Sequence, residues 1–391
     1  MAKVRLDSWK SIAEYLRRSP RTVQRWHADF GLPVHHFGSG KGPVFTYSDE
    51  LDAWLSGLAA EPGDGKGQIE ELLEGKKRRS MELTAQGDAL WELRSEDNLS
   101  TIAGLYRNAI DRDPGNASAF IGLANSLIVA SLVGLMRGSA AYPRAIEALQ
   151  RAVRLGFDSA QTRCTAAWLQ MIRERKWESA REGFDQVLIR QRRSSFALCG
   201  RALLHVVEGN LQDALRRLQE AWRQNTLAPI SSAFFCWVQY LAGDYEQALD
   251  TIAHSRAGGD NSLLSTEIEA LVSMQPGPVA PLLKRLEAVA GANPQSKILQ
   301  GALGYAYATS DQPNRAQEVL RNLQKLKSAP SYPLAVVLMG LGERHQAASC
   351  LKASFAEGSL WSLGLRFDPI FQPLHGDLRF DSLLRKLPPA G

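Results

Sequence analysis

The strongest regularity in this sequence is a helical pattern of small and large apolar positions that recurs along most of the chain. A small residue is followed four places later by a large apolar residue and three places further by another small or apolar one, as at Ala145, Leu149 and Ala152. Positions i, i+4 and i+7 lie on one face of an α-helix. Since the small residue lets a second helix approach and the large one fills the remaining space, each copy predicts a packed helix.

The copies are spaced at close to 34 residues over the middle of the chain. They begin at Ile102, Ala145, Ala180, Ala214, Ala248, Leu282, Ala316 and Ala347. A glycine precedes several of them by five residues, as in LHVVEGNLQDAL and VQYLAGDYEQAL, and there a turn would join two antiparallel helices. The first two copies are 43 residues apart, so we expect an insertion near VGLMRGSAA.

Helix pairs with this period resemble the tetratricopeptide repeat (TPR) family, whose unit is a helix–turn–helix of about 34 residues. The resemblance covers roughly residues 89–356 in about eight units. The family's tryptophan and Leu-Gly positions are mostly absent, and the unit from Ser262 to Asn293 departs furthest. The resemblance implies a mainly α fold in which an α-helical superhelix presents a concave face to a protein partner.

A different segment, LRFDPIFQPLHGDLRFDSLLRKL, follows the last copy. Its position predicts a capping segment that hides the last apolar face, which a solenoid requires. It also resembles the terminal segment of bacterial repeat-containing regulators.

The first part of the chain has shorter apolar stripes. DSWKSIAEYL predicts a helix with one apolar face, and a second helix begins at Ser19, an N-cap residue followed by proline. The second helix has its buried stripe at Val23, Trp26 and Phe30. Two short extended runs and a third helix from Ser48 complete this part of the chain.

The extended runs are Val34 to Phe37 and Val44 to Tyr47, and GSGKG connects them as a hairpin tip. In the third helix we expect Leu51, Trp54 and Leu55 to face inward. The stretch AAEPGDGKGQ then has no apolar periodicity and is typical of a linker. The predicted domains are therefore 1–58, a linker at 59–68, and the repeat region with its capping segment at 69–391.

Two helices, a hairpin and a third helix in this order form a winged helix-turn-helix. With RTVQRW, GLPV and a glycine-rich hairpin, residues 5–58 resemble the excisionase and mercury-resistance-regulator family of DNA-binding domains. The resemblance implies that the second helix enters the major groove of double-stranded DNA and that the hairpin, or wing, reaches the backbone or the minor groove.

The charges in this region support that resemblance. From Arg17 to Lys41 there are five Lys or Arg residues and one acid, Asp29, an asymmetry expected for a protein that binds a polyanion. Arginine pairs with guanine and glutamine with adenine in the major groove. The candidate DNA-binding residues are Arg17, Arg18, Ser19, Arg21, Thr22, Gln24, Arg25, His36, Ser39 and Lys41.

The turn between the two helices departs from the family pattern. The family commonly has glycine there, whereas this chain has Arg17 and Arg18. A residue other than glycine in a left-handed turn costs about 1 kcal/mol. We therefore expect a remodelled turn whose arginines serve as extra phosphate contacts.

Composition narrows the functional classes. A net charge of +5 permits an anionic partner without requiring one. The sequence has no apolar run of about 18 residues and no secretory signal, so we expect a cytoplasmic protein without a membrane span. The four cysteines form no CxxC, and no P-loop, GxSxG or HExxH motif occurs. We expect no catalytic, cofactor or metal site.

The sequence favours a DNA-binding transcription regulator whose repeats mediate protein–protein interaction or oligomerisation, and a homodimer on a palindromic site would suit a domain this small. Two alternatives stay open. One is a TPR interaction scaffold whose first domain binds protein, and the other is an accessory excision or recombination factor. The cluster KKRR, Lys76 to Arg79, is either a second DNA contact or the polar face of a helix.

Overall fold

The computed structural model describes residues 4–36, 43–59, 65–223, 228–275, 282–326 and 331–389. The chain divides into two compact units, Met1–Arg78 and Arg79–Gly391. The stretch interpreted as a linker, 59–68, lies partly outside the described residues, and from Gly65 onward it belongs to a long helix that continues to Glu92.

The first unit contains three short strands and three helices before that long helix. Its elements are β1 (Arg5–Leu6), α1 (Trp9–Tyr15), α2 (Pro20–Phe30), β2 (His35–His36), β3 (Val44–Tyr47), α3 (Ser48–Ala59) and the start of α4 (Gly65–Glu92). The strands form an antiparallel sheet in the order β1-β3-β2. The two helices, the hairpin strands and the third helix occur in the predicted order, whereas β1 is an element that the sequence patterns did not indicate.

Local sequence explains where these helices begin and end. Ser8 caps α1 in a capping box with Ser11, and Ser19 caps α2 by accepting a hydrogen bond from the Thr22 amide at 3.2 Å. Gly31, in the left-handed conformation with φ of 67°, ends α2. Both caps satisfy backbone groups that a short helix would otherwise leave unpaired.

A small apolar core holds the first unit together. It is formed by Ile12, Ala13, Val23, Leu32, Val44 and Leu51, with Leu6, Trp9, Leu16, Val34, Trp26 and Trp54 partly buried around it. The predicted stripes of α1 and α2 are therefore on the buried side. Leu55, expected to face inward, is 41% exposed, so only Leu51 and Trp54 of the predicted stripe of α3 join this core.

The second unit is an array of antiparallel helix pairs. Its helices after α4 are α5 (Glu96–Arg112), α6 (Ala117–Leu132), α7 (Gly138–Arg154), α8 (Ala160–Leu169), α9 (Trp177–Arg190), α10 (Ser195–Val207), α11 (Leu211–Arg223), α12 (Pro229–Ala242), α13 (Tyr245–Ala257), α14 (Leu263–Ser273), α15 (Leu283–Ala292), α16 (Lys297–Thr309), α17 (Pro313–Gln324), α18 (Ser331–Gly340) and α19 (Arg344–Glu357). Six of these helices, α6, α8, α10, α12, α16 and α18, pack on the odd-numbered helix that follows. This arrangement confirms the predicted TPR-like α-solenoid.

The periodic positions lie on the second helix of each pair, with the packing role that their sizes predict. Tyr106 on α5 and Phe184 on α9 are almost fully buried. A methyl group added at Gly122 on α6 would lie 2.3 Å from the Tyr106 ring, and one added at Gly200 on α10 would lie 2.4 Å from the Phe184 ring. Each large residue thus fills a space that a glycine of the following helix leaves open.

The extra residues between the first two copies lengthen helices rather than form a loop. Helices α6 and α7 contain 16 and 17 residues, whereas the next pairs contain 10 to 14 residues per helix. A π-helical turn, Gln170–Glu174, extends α8 before Arg175 adopts a left-handed φ of 58°.

After α19 the chain forms two 3₁₀ turns, Leu360–Gly364 and Pro369–Leu374, and a last helix, α20 (Leu378–Leu384). Helix α20 packs against α19, as a terminal cap does. The preceding residues instead pack against α10 and α18, so the expectation of a capping helix describes only α20. Among the described residues, no helix has the length and apolar content needed to cross a membrane.

Candidate functional site

Helix α2 presents a polar stripe on the side opposite its buried residue. Arg21, Gln24, Arg25 and Ala28 are all exposed, and they occupy positions i, i+3, i+4 and i+7. Val23 on the other side is fully buried. None of the three polar side chains forms a hydrogen bond or ion pair within the described part of the chain. Their donors and acceptors are therefore available to an external molecule.

The turn before α2 has the strained geometry that its sequence predicts. Arg17 adopts a left-handed φ of 52°, and both Arg17 and Arg18 are exposed. Arg18 Nη1 donates to the carbonyl oxygen of Arg17 at 3.2 Å, and its guanidinium lies 5.9 Å from the centre of the Trp26 ring. Both side chains flank the beginning of the polar stripe.

The other predicted DNA-binding residues differ in their surroundings. The hydroxyls of Ser19 and Thr22 lie 2.8 Å apart and bond to each other. His36 is exposed, with its ring 6.0 Å from that of His27. Ser39 and Lys41 lie outside the described residues.

Ion pairs neutralise the acid of α2 and most of the KKRR cluster. Lys76 Nζ on α4 lies 2.7 Å from Asp29 Oδ2, so the one acid in the basic segment has a cationic partner. Lys77 pairs with Glu74, and Arg79 with Glu82. The cluster thus fits the polar helix face better than a second DNA contact.

In the repeat array, the first helices of three pairs are almost entirely buried. All thirteen residues of α10 are buried, as are twelve of the fourteen in α12 and eight of the ten in α18. By contrast, only three of thirteen are buried in α11, the second helix of its pair. Since the first helices of an open solenoid face solvent on the concave side, other parts of this chain must cover them.

One covering element is the turn between α4 and α5. The buried Arg94 donates from Nη2 to Ser195 Oγ at 3.2 Å and to Ser231 Oγ at 2.8 Å. Glu96 Oε2 accepts a hydrogen bond from the Leu264 amide at 3.1 Å. This turn therefore lies against the first residues of α10, α12 and α14.

The other covering element is the segment Ser359–Leu374, which we call the tail. It lies against the inner faces of α10, α12 and α18, which we call the groove. Arg366 donates to the Val207 carbonyl at 3.3 Å. Just before the tail, Tyr142 on α7 donates to the Gly358 carbonyl at 2.8 Å. The concave face expected to bind a partner is thus occupied in this region by the chain's own tail, a contact that connects residues more than 100 positions apart in the sequence.

A cavity of about 350 Å³ lies at the other end of the array, between α4, α6, α8 and the start of α10. Trp91 and Phe196 supply apolar wall, with their rings 5.2 Å apart. Arg192 and Arg193 lie on one side and Asp88 and Glu92 on another. The sequence patterns did not indicate this cavity, because its lining comes from four separate helix pairs.

Two of the four cysteines lie on first helices of the array, α8 and α10. Cys164 and Cys199 are both buried, and burial raises their pKa above the ordinary value. A thiol that stays protonated is a poor nucleophile. Both therefore act as apolar packing residues.

No protein-family model matches the sequence, and no curated protein matches it. Several solved structures are similar in fold, at low identity. The Cut9 and Hcn1 hetero-tetramer of the APC/C has 16% identity, covers 86% of this chain and has a TM-score of 0.49. This chain spans only 59% of the length of that protein.

Two further structures cover most of the chain. A human IFIT1 dimer with m7Gppp-AAAA has 14% identity, covers 86% of this chain and 79% of its own, and has a TM-score of 0.39. A tetratricopeptide repeat protein from Parabacteroides merdae ATCC 43184 has 13% identity, with 75% and 99% coverage and a TM-score of 0.32.

Proposed function

We propose that this chain is a protein-interaction scaffold that acts as a transcription regulator. In this proposal the N-terminal unit binds double-stranded DNA, and the repeat array binds a protein partner. The observation that carries the DNA-binding part is the exposed stripe of Arg21, Gln24 and Arg25 on α2. These side chains have no internal partner in the described residues, while the opposite side of the helix is in the core.

The geometry of α2 suits the major groove. An α-helix fits that groove, where arginine donates two hydrogen bonds to guanine and glutamine pairs with adenine. Ala28 continues the stripe with a small side chain, so the end of the helix can approach the bases closely. Arg17 and Arg18 at the other end lie where cations would contact phosphates.

The neutralised acid on α2 also favours double-stranded DNA as the ligand. The pairing of Asp29 with Lys76 neutralises the one acidic side chain of α2, which would otherwise repel a phosphate backbone. In this proposal the β2–β3 hairpin serves as the wing. A unit of this size contacts one half-site, so we expect two copies on a palindrome.

The repeat array supports the scaffold part through its architecture. Solenoids of helix pairs offer extended surfaces, and their partners are commonly proteins. A second candidate function is a scaffold whose N-terminal unit also docks onto protein. Tyr15 on α1 and Leu55 on α3, which are 38% and 41% exposed, favour it, because both present apolar surface outside the polar stripe of α2.

The experiment is fluorescence anisotropy of the full chain with double-stranded DNA selected from a random library, repeated over a range of salt concentrations. We expect a steep fall in affinity with salt, since each phosphate contact releases counterions. The double substitution Arg21→Ala and Arg25→Ala should reduce affinity for the selected site by about 100-fold, because each base contact contributes about 1–3 kcal/mol.

The matched control is Arg321→Ala in the last turn of α17 with Lys325→Ala at its C-cap. It removes the same charge at the same i, i+4 spacing from exposed positions far from α2 in the sequence. The control should bind as the wild type does. Equal losses in both variants would mean that only net charge matters, and absence of binding at low salt would favour the protein-docking alternative.

A further inference from the structure

The tail is held in the groove by a buried carboxylate without a cationic partner. Asp368 is fully buried, and its oxygens accept hydrogen bonds from Tyr240 Oη at 3.0 Å, Tyr332 Oη at 2.6 Å and the Ile370 amide at 3.1 Å. No Lys, Arg or His in the described residues forms an ion pair with it. Burial raises the pKa of Asp368 to about 6, against the opposing effect of the two tyrosines.

Aromatic side chains hold the tail on either side of this carboxylate. Trp361 stacks on Tyr332 with ring centres 5.4 Å apart and meets the edge of Trp237 at 6.0 Å. Phe371 meets Tyr332 from another side at 5.5 Å. Gly364 lets the tail backbone approach closely, because a methyl group there would lie 2.7 Å from the Trp237 ring.

This arrangement has the composition of a binding interface rather than of an ordinary core. A buried carboxylate loses its hydration, and an apolar residue of similar size is often the more stabilising choice. Polar groups in such places specify which segment binds and in which register. Tyrosine and tryptophan are also the side chains most enriched where proteins bind each other.

The groove also contains polar atoms that the tail does not satisfy. Trp237 Nε1 is buried without an acceptor, although its ring contacts the tail. On the same helix, Gln239 Oε1 is also buried without a hydrogen-bond partner. Buried polar groups in permanent cores are nearly always hydrogen-bonded. A segment that offered an acceptor to Trp237 would therefore fit the groove better than the tail does.

We propose that the tail is a displaceable internal ligand, and that the groove of α10, α12 and α18 is the binding site for a segment of a partner protein with the same chemistry. That segment carries an aromatic residue, a carboxylate seven positions later and a second aromatic residue three positions after that, as Trp361, Asp368 and Phe371 do in the tail. The inference rests on the proposed role of the array as a protein-binding scaffold and adds the site, the partner's chemistry and its regulation by the tail.

The geometry of the connection allows the exchange. Gly358 ends α19 in the left-handed conformation with φ of 72°, so the chain changes direction at one residue between the array and the tail. Its carbonyl oxygen accepts the Tyr142 hydrogen bond, which fixes the start of the tail. Release of the tail requires rotation at this position.

The test uses the full chain and a fluorescein-labelled peptide with the tail sequence SLWSLGLRFDPIFQPL. In the wild type the internal tail occupies the groove, so the peptide should bind weakly. In the Asp368→Ala chain the internal tail is weakened, and peptide affinity should rise by about 10- to 100-fold, since hydrogen bonds to a charged group are lost only from the internal competitor. Hydrogen exchange of residues 360–374 checks that the internal tail is released.

The matched control is Asp377→Ala, which removes a carboxylate after the tail at the cap of α20. It should leave peptide binding at the wild-type level. Adding Tyr240→Phe and Tyr332→Phe to the Asp368→Ala chain should remove the gain, because these hydroxyls donate to the peptide carboxylate as they do to Asp368. A folded Asp368→Ala chain with a released tail and no peptide binding would overturn the inference.

A second variant covers the case in which Asp368→Ala fails to fold. It carries a protease site between Gly358 and Ser359 and is cleaved only after folding. Exchange of the cleaved tail for labelled peptide supports the inference, and a tail that never exchanges shows that it is permanent core. If the tail never exchanges but the cleaved chain still binds DNA, this inference is wrong and the proposed DNA-binding function stands.

Discussion

Helices α2 and α10 are similar in length but opposite in their relation to the rest of the chain. Helix α2 has 11 residues and buries only Val23, whereas all 13 residues of α10 are buried. The stripe of Arg21, Gln24 and Arg25 has no internal partner among the described residues, while α10 is covered from the concave side by the tail. Helix α2 therefore offers an unpartnered polar stripe to an external molecule, whereas the inner faces of α10, α12 and α18 are covered by the chain's own tail.

The largest expected effect is on the pH dependence of the unfolding free energy of the array, which should distinguish the array from the small unit. Burial raises the pKa of Glu267 to about 8, that of Glu96 to about 7 and that of Asp368 to about 6. A carboxyl whose folded pKa lies above its unfolded value stabilises the fold at low pH, and this contribution is lost as pH rises through the folded pKa. The array should therefore lose several kcal/mol of unfolding free energy between about pH 5 and pH 9. Each pKa unit between the folded and unfolded values of a carboxyl contributes about 1.4 kcal/mol to this loss.

Thermal denaturation of the array followed at several pH values measures this loss. Glu267→Gln should flatten the upper part of the dependence, because a glutamine oxygen can still accept the hydrogen bond from Ser296. Glu246→Gln, at an exposed position on α13, should leave the dependence unchanged. A melting temperature of the array that rises from pH 6 to pH 9 would contradict the assignment of raised pKa values to these carboxyls.

The burial of these carboxyls shows which features of the structure the sequence could predict and which it could not. The repeat pattern predicts the helix pairs because the period of 34 residues and the small–large–small spacing are local properties of each unit. The burial of Glu267 or Asp368 is not local, since it depends on a turn or a tail that comes from a distant part of the chain. In the sequence such residues look like ordinary solvent-exposed charges.

The same distinction holds for the candidate sites. The positions of Arg21, Gln24 and Arg25 follow from the helical period and the stripe that contains Val23, so the sequence was sufficient to place them on one face. The two-residue strand β1 is too short to show an alternating pattern, and it pairs with β3 more than 35 residues later. The occupied groove was missed because the covering tail resembles a simple cap when only its position is considered.

A second prediction tests whether α10 packs as tightly as its burial indicates. In an exposed helix, glycine to alanine stabilises by about 0.5–1 kcal/mol. The new methyl group of Gly200→Ala would instead press on the Phe184 ring, which cannot move because it is fully buried against Trp168. We expect a net loss of about 1–3 kcal/mol, measured by urea denaturation of the array.

Gly104→Ala on α5 is the control for this substitution. Nothing lies within 4 Å of the methyl group that it would add, so only the gain in helix propensity should appear. Opposite signs for the two substitutions support close packing around α10. A stabilising effect at both positions would mean that the helix pairs can separate enough to admit a methyl group.

The smallest expected effect lies at Arg17 in the turn before α2. There the stability of the fold favours glycine, whereas a phosphate contact requires arginine. Arg17 holds a left-handed φ of 52°, which favours glycine by about 1 kcal/mol or less once the greater freedom of an unfolded glycine is counted. Arg17→Gly should therefore slow hydrogen exchange of the Val23 amide slightly. If Arg17 contacts a phosphate, the same substitution should reduce the salt dependence of DNA binding by a log–log slope of about 0.9. A more protected unit with an unchanged slope would show that Arg17 has no phosphate contact, whereas a lower slope would explain why the chain keeps a strained arginine where glycine is more stable.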